Sequence, residues 1–164
     1  MDALEQQVTR AFEDARDDIY RYLLTLGLAP AHAQDAAQEV FLRLYLALRK
    51  GETIQNQRAW IFRVAHNLAA DWRAKERLQP LDSDMLALVR DRRQSAEAEL
   101  LEKEKMQRIA AAWQGLSPQQ RECLHLRAEG LKYREIGEAL GIGISSVREF
   151  LVRAITKLQK AAYE

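Results

Sequence analysis

Apolar residues recur at intervals of three and four along most of the chain, which is the spacing of one face of an α-helix. In the first half this pattern predicts three helices, over 5–26, 30–49 and 58–77. Gly27 and the polar stretch 51–57 separate them, since glycine commonly ends helices. One apolar stripe is expected on the second helix, at Ala37, Val40, Phe41, Leu44 and Leu48. Another is expected on the third helix, at Ile61, Val64, Ala65, Leu68 and Trp72.

The second half carries stronger helix-boundary signals. Ser95 can cap a helix, and Ser117-Pro118 followed by Gln120 predicts a capping box at the start of a helix that ends before Gly130. Two short helices follow, the second over about 144–160. Gly137 lies where their backbones must approach, and Gly141 lies in the tight turn between them. This pattern predicts a helix-turn-helix.

The stretch 81–94 has many charges and no clean period, so it predicts a linker with one helical turn around 85–89. The predicted fold is therefore all-α. Two small helical domains, over 5–78 and 96–162, are joined by a linker over 79–95. The C-terminal domain is expected to be a helix-turn-helix of winged-helix-like type.

The composition argues against several classes of protein. Cys123 is the single cysteine, so no disulfide framework is possible, and the three histidines have no metal-ligand spacing. We find no glycine-rich phosphate loop, nucleophile elbow or paired carboxylates, and expect no catalytic residue, metal or cofactor. The acidic N-terminus is not a signal peptide, and no apolar run reaches the roughly 20 residues of a membrane span. A non-enzymatic cytoplasmic protein is expected.

Charge is unevenly distributed, although the whole chain has a net charge of only +1. Residues 1–42 hold three basic and eight acidic side chains, whereas residues 43–80 hold eight basic and three acidic ones. This asymmetry indicates two partner surfaces, or else ordinary solvated helix faces. The second helix of the helix-turn-helix favours DNA binding, because its outward side chains are short, polar or basic.

Three segments resemble bacterial sigma factors. The segment 116–158 resembles their C-terminal domain, region 4, and also the effector domain of LuxR-type regulators. QDAAQEVFLRLYLAL (34–48) resembles the sigma helix that grips the clamp of RNA polymerase, and NQRAWIFRVAHNLAADWRAKER (56–77) resembles the helix that melts the −10 promoter element. The order of these segments resembles the extracytoplasmic-function class of the sigma-70 family, which keeps only regions 2 and 4.

The resemblance implies a role for particular residues. Polymerase-clamp contacts fall on Asp35, Gln38, Glu39 and Leu42. The −10 contacts fall on Lys50, Asn56, Arg58, Trp60, Arg63, Asn67, Arg73 and Arg77. The −35 contacts fall on Arg134, Ser145, Ser146, Arg148, Glu149 and Arg153. Trp60 is a candidate for base stacking, whereas core packing is favoured for Trp72. Glu149 could accept from a cytosine amino group or form a capping box with Ser146, and the residues alone do not choose.

The implied partners are core RNA polymerase, through its clamp and flap, and promoter DNA. An anti-sigma protein that clamps both domains is a further hypothesis, with membrane contact only through such a partner. Two alternatives stay open from the residues. One is a stand-alone LuxR-like helix-turn-helix regulator, and the other is a helical interaction protein that sequesters a regulator.

Overall fold

A computed structural model describes residues 2–76 and 96–163, and this part of the chain consists of α-helices joined by turns, without a strand. The helices are α1 (Ala3–Thr25), α2 (Pro30–Arg49), α3 (Gln57–Glu76), α4 (Ala96–Gln114), α5 (Pro118–Ala128), α6 (Tyr133–Leu140) and α7 (Ile144–Tyr163). The all-α prediction is confirmed. The predicted linker over 79–95, its helical turn, the Ser95 cap and Arg77 lie outside the described residues.

The predicted capping box at the start of α5 is confirmed. Gln120 N donates to Ser117 Oγ at 3.1 Å, and Ser117 N donates to Gln120 Oε1 at 3.0 Å. A second box at the start of α1 was missed, in which Glu5 N donates to Asp2 Oδ1 at 2.7 Å. Because this box satisfies backbone N–H groups of the first turn, α1 begins at Ala3, earlier than predicted.

The N-terminal half is built on α1 and α2, which pack together, with α3 against both. The predicted stripe of α2 is confirmed, since four of its five residues are buried and Leu48 is partly buried. Aromatic pairs connect the helices: Phe12 of α1 meets Phe41 of α2 edge-on at 5.1 Å, and Tyr22 of α1 meets Phe62 of α3 at 5.4 Å.

The predicted stripe of α3 is only partly right. Ile61 and Ala65 are buried, as expected, but Phe62 and Ala69 are buried as well. The predicted Val64, Leu68 and Trp72 are only half-buried. The reason is that α3 also packs on α6 of the C-terminal half, so the helix has neighbours on more than one side. A prediction from one apolar stripe places only one side of a helix in the core. It therefore leaves the second packed side of α3 exposed to solvent.

The C-terminal half contains the predicted helix-turn-helix, formed by α6 and α7. A Cβ added at Gly137 would lie 2.7 Å from the carbonyl oxygen of Ile142, so the backbones do approach there. Gly141 ends α6 with φ 70° and ψ 33°, in the left-handed region. Both glycine predictions are confirmed.

The two halves are in contact in this structure. One core cluster includes Tyr22 and Phe62 from the N-terminal half together with Leu126, Ile136 and Leu151 from the C-terminal half. A smaller cluster of Trp113, Leu116 and Ala154 joins α4, α7 and the turn before α5. The helix-turn-helix therefore packs against helices of the N-terminal half as well as against the other helices of its own half.

Replacing Gly141 with Ala should lower the free energy of unfolding by about 1 kcal/mol, because Ala pays a steric penalty at positive φ. The Gly143→Ser variant is the matched comparison, since Gly143 precedes α7 in open space and Ser is a slightly better N-cap. Urea unfolding should give a lower free energy of unfolding for Gly141→Ala than for wild type. For Gly143→Ser it should give a value higher by a few tenths of a kcal/mol. Equal losses in both would contradict this account of the turn.

Candidate polymerase and nucleic-acid interfaces

The residues assigned to the polymerase clamp lie together on the outer side of α2, and we call them the clamp face: Asp35, Gln38, Glu39 and Leu42. Asp35, Gln38 and Leu42 are exposed, and 51% of the Leu42 surface is open to solvent. Glu39 is half-buried and accepts from Arg43 Nε at 3.1 Å. The clamp face thus combines carboxylate and amide groups, which can accept hydrogen bonds from basic partners, with an exposed apolar side chain.

An apolar groove borders the clamp face and was not predicted. It has a volume of about 330 Å³ and lies between α1 and α2, lined by Val8, Phe12, Phe41, Leu42 and Tyr45 among others. Leu46, one turn beyond Leu42, is also exposed. The four-residue spacing of Leu42 and Leu46 on an otherwise polar side of the helix was the available signal.

The residues assigned to the −10 element lie along α3 and the loop before it, and we call them the strand face: Lys50, Asn56, Arg58, Trp60, Arg63, Asn67 and Arg73. Lys50, Asn56, Arg63 and Asn67 are exposed, as a DNA-contacting role requires. Asn56, Arg58 and Arg73 have partners within the protein. Their partners come mostly from the C-terminal half.

Arg58 is the most heavily engaged member of the strand face. Its Nη2 lies 2.6 Å from Glu129 Oε2 and 3.0 Å from Asp18 Oδ2, and its Nε donates to the Glu129 carbonyl at 2.8 Å. Its guanidinium also lies over the Phe62 ring. Arg58 was expected to lie open to a DNA strand, but here it joins both halves of the protein.

Asn56 and Arg73 make similar contacts to the C-terminal half. Asn56 Oδ1 accepts from Ala59 N at 3.0 Å near the start of α3, while Asn56 Nδ2 donates to the Glu135 carboxylate. Arg73 forms an ion pair with Glu122, with 3.6 Å between Nη2 and Oε1. The expectation that Arg73 lies on an open face was therefore wrong, because α5 and α6 approach this side of α3.

The two tryptophans of α3 differ in their surroundings. Trp60 is half-buried and lines a cleft of about 310 Å³ with Arg63 on one side and Arg134, Glu135 and Glu138 on the other. Trp72 stacks on His32 of α2, with ring centroids 4.2 Å apart. Packing is thus the observed role of Trp72, as favoured from the sequence, although its partner was not foreseen.

The residues assigned to the −35 element form what we call the recognition face: Arg134 of α6 and Ser145, Ser146, Arg148, Glu149 and Arg153 of α7. Ser146 is half-buried and the others are exposed. The buried Val147, Leu151 and Ala154 hold the opposite side of α7 in the core. Because α7 buries one stripe of regularly spaced residues, its other side presents basic and hydroxyl-bearing side chains to solvent.

Glu149 pairs with Arg153 one turn further along α7, with 2.6 Å between Oε1 and Nη2. This partner is neither of the two that the sequence suggested, a cytosine or Ser146. Both side chains are more than half exposed, so the pair contributes little to stability.

Buried titratable groups line the junction between the two halves. The Tyr22 hydroxyl and His66 Nδ1 are hydrogen-bonded at 3.0 Å, and the Tyr22 and His125 rings lie 5.0 Å apart. Burial, with a further contribution from Arg73, lowers the pKa of His66 to about 4. Burial also raises the pKa of Glu122, against the opposing effect of Arg73. Two of the three histidines, His66 and His125, thus lie in this junction.

Cys123 lies beside these groups and is fully buried. Burial, with a smaller effect from Glu122, raises the pKa of its thiol to about 12. Such a thiol is protonated at neutral pH and therefore a poor nucleophile.

Two further searches cover the described residues only. Across 2–76 and 96–163, no group of three or more His, Cys, Asp or Glu side chains is placed to hold a metal ion. Over the same ranges, every helix is too short or too polar to cross a membrane.

Comparison with known proteins identifies the family. The model described as Sigma-70 region 2 matches residues 11–79, and that described as Sigma-70, region 4 matches residues 106–158. The first match contains the clamp and strand faces, and the second contains the recognition face. The chain belongs to the sigma-70 family, whose members are non-enzymatic transcription initiation factors, and to its extracytoplasmic function (ECF) class.

Individual relatives agree with this assignment. The ECF RNA polymerase sigma factor BldN of Streptomyces coelicolor is 30% identical over 158 residues, which are 92% of this chain and 58% of BldN. The ferric citrate uptake sigma factor FecI of Escherichia coli is 30% identical over 125 residues, 75% of this chain and 72% of FecI. The chain thus spans little more than half the length of BldN. The alternative of a LuxR-like regulator is not favoured, because region 2 is present.

A solved structure shows the same fold. The sigma factor RpoE of Bartonella quintana, solved with the anti-sigma factor NepR, superposes with a TM-score of 0.64 over 95% of this chain and 96% of RpoE. Its sequence identity is 17%. The arrangement of helices is therefore shared even where few residues are.

Acidification from pH 6.5 towards 4 should destabilise the protein through His66. Its folded pKa lies below its unfolded value of 6.5, so the unfolded chain binds the extra proton in this window. Through His66, the free energy of unfolding should be about 2 kcal/mol lower at pH 4.5 than at pH 6.5. Glu122 has the opposite sign, because its raised pKa favours the folded state as the pH falls.

The His66→Gln variant separates the two groups, since it retains Glu122. The difference in free energy of unfolding between wild type and variant should change between pH 6.5 and 4.5 in urea titrations. Parallel curves for the two proteins would contradict the assignment to His66.

Proposed function

We propose that the chain is an alternative sigma factor that binds core RNA polymerase and directs it to particular promoters. In this proposal the clamp face binds polymerase, the strand face contacts and melts the −10 element, and the recognition face docks on the −35 duplex. The observation that carries it is the match to regions 2 and 4, in that order, on one chain.

The strand face suits an unpaired DNA strand. Lys50, Arg63 and Asn67 are exposed donors along α3 and its preceding loop, and Trp60 can stack on an unstacked base. Stacking of this kind contributes about 1–3 kcal/mol per base and compensates part of the cost of melting. Arg58 and Arg73 would add phosphate contacts once their present partners are removed.

The recognition face suits duplex DNA. The exposed side of α7 presents Ser145, Arg148 and Arg153, and Arg134 is exposed on α6. An exposed helix of this kind enters a major groove, where arginine can donate to guanine edges and phosphates while serine donates to either.

The chemistry of RNA synthesis would remain with polymerase, so the chain itself is proposed to be non-enzymatic and to act in the bacterial cytoplasm, where transcription takes place. An anti-sigma protein is a further proposed partner. RpoE, which has the same fold, was solved with such a protein.

Charge reversal of the clamp face should weaken polymerase binding. We expect the Asp35→Lys, Glu39→Lys variant to bind core polymerase at least about tenfold more weakly, because hydrogen bonds to charged groups contribute roughly 1.5–3 kcal/mol each. The Glu13→Lys, Asp14→Lys variant carries the same charge change on exposed positions of α1 and should bind as wild type. Unchanged affinity in the first variant would reject the clamp face.

Truncation of the recognition face should weaken promoter binding by the assembled polymerase. Arg148→Ala should cost roughly 1–3 kcal/mol of duplex affinity, that is, a loss of about 5- to 150-fold. Lys103→Ala removes one exposed positive charge from α4 and is the matched control. Filter binding of −35 duplex by holoenzyme measures both variants, and equal effects would indicate nonspecific electrostatics.

Mapping of transcription starts separates the proposal from its rivals. Core polymerase supplemented with the protein should initiate at new sites on genomic DNA. A stand-alone regulator would instead bind an operator tightly without polymerase, and a sequestering protein would produce no new starts. Either of these results would overturn the proposed function.

A further inference from the structure

Glu149 lies at the centre of the outward side of α7. The opposite side of the helix is held in the core by Val147, Leu151 and Ala154. Successive residues of an α-helix are about 100° apart, so Glu149 lies almost directly opposite this buried stripe, whereas Arg148 lies at the edge of the outward side. When such a helix enters a major groove, the residue at the centre faces the base edges.

A carboxylate at this position restricts which base can lie opposite it. A carboxylate accepts hydrogen bonds and donates none, and the major groove offers two kinds of donor, the N4 amino group of cytosine and the N6 amino group of adenine. In adenine the N7 acceptor lies beside the amino group and would face the negative charge. Guanine and thymine present acceptors there. Glu149 therefore favours cytosine over the other three bases.

The observed contact of Glu149 does little for the fold. Its Oε1 lies 2.6 Å from Arg153 Nη2, and both side chains are more than half exposed, so the pair adds little stability. A negative charge close to DNA phosphates lowers affinity for every sequence. That cost is offset only where a base supplies a donor, which turns the charge into discrimination between sequences. Arg153 engages one carboxylate oxygen, and the second can accept from a base.

Val152 lies on the same outward side, three residues beyond Glu149, and 56% of its surface is exposed. It was not among the residues assigned to the −35 element from the sequence. Three helical residues advance about 4.5 Å, and base pairs are about 3.4 Å apart, so the two side chains reach adjacent base pairs. The apolar group that the major groove offers is the C5-methyl group of thymine.

From this placement we infer that Glu149 is the specificity-determining residue of the recognition face and accepts from the N4 amino group of a cytosine in the −35 duplex, while Val152 contacts the methyl group of a thymine in an adjacent base pair. The inference rests on the proposed function, which makes α7 the reader of the duplex. It adds the identity of the bases that are read and brings Val152 into the site.

Selection from a duplex library tests the role of Glu149. The probe is a double-stranded oligonucleotide with about ten randomised base pairs, bound by the full-length protein both alone and assembled with core polymerase. The test variant is Glu149→Gln. The matched control is Glu138→Gln, because Glu138 is also exposed and also pairs with an arginine one turn away on its own helix, Arg134. Both variants therefore remove one negative charge from the same kind of ion pair.

We expect wild type to enrich sequences with one fixed cytosine beside an A·T pair. The Glu149→Gln variant should shift that position from cytosine to adenine, because glutamine can pair with N6 and N7 of adenine. The ratio of affinities for the two bases should change by about 5- to 150-fold. The Glu138→Gln variant should keep the wild-type base preference at every position.

Deoxyuridine in place of the selected thymine tests Val152, because it removes only the methyl group. Wild type should bind the deoxyuridine duplex about fourfold more weakly than the thymine duplex, which is the effect of losing one buried methyl group. The Val152→Ser variant should distinguish the two duplexes by less than about twofold. Equal losses for wild type and variant, or no thymine beside the cytosine, would overturn the role of Val152.

The role of Glu149 would be overturned if Glu149→Gln kept the preference for cytosine, if Glu138→Gln changed it equally, or if wild type enriched no sequence. The proposed function is judged separately, by whether wild-type protein directs core polymerase to new start sites. Without new starts, selection by the protein alone would still decide the inference, because base reading by α7 needs no polymerase. New starts together with an unchanged base preference in Glu149→Gln would reject the inference alone.

Discussion

The structure depends on α3 being shared between two neighbours. One part of the helix lies in the N-terminal core, where Phe62 packs edge-on against Tyr22 of α1. Another part contacts α6 of the C-terminal half. Because the same helix carries the candidate −10 contacts, its packing and its proposed DNA binding draw on overlapping residues. In this structure Asn56, Arg58 and Arg73 of the strand face are engaged by side chains of the C-terminal half.

Electrostatics makes this sharing possible. The net charge of the chain is only +1, although residues 43–80 hold eight basic and only three acidic side chains. In the folded protein Arg58 and Arg73 meet carboxylates from the C-terminal half.

Local signals predicted the helices well. The capping box at Ser117 and the left-handed Gly141 depend only on neighbouring residues, so the bounds they imply agree with the structure. The clamp and recognition faces are exposed as expected, because α2 and α7 each have one buried stripe. Those predictions concern exposure, and the partners of both faces stay proposals.

The strand face was harder to predict, since α3 buries more than one side. Its contacts link residues far apart in the chain: Asn56 and Glu135 are separated by 79 positions, and Arg58 and Glu129 by 71. No local period identifies such pairs. The spacing of the acids at 122, 129 and 135 was the one available hint, and alone it is typical of a solvated helix face.

A photo-cross-linking amino acid in place of Trp60 tests the shared use of α3 most directly. In the free protein, the account predicts cross-links within the chain to the α6 segment, Tyr133–Leu140. In the complex with core polymerase and promoter DNA, it predicts cross-links to the non-template strand and loss of those to α6. Cross-links to α6 that persist unchanged in the promoter complex, with none to DNA, would contradict it.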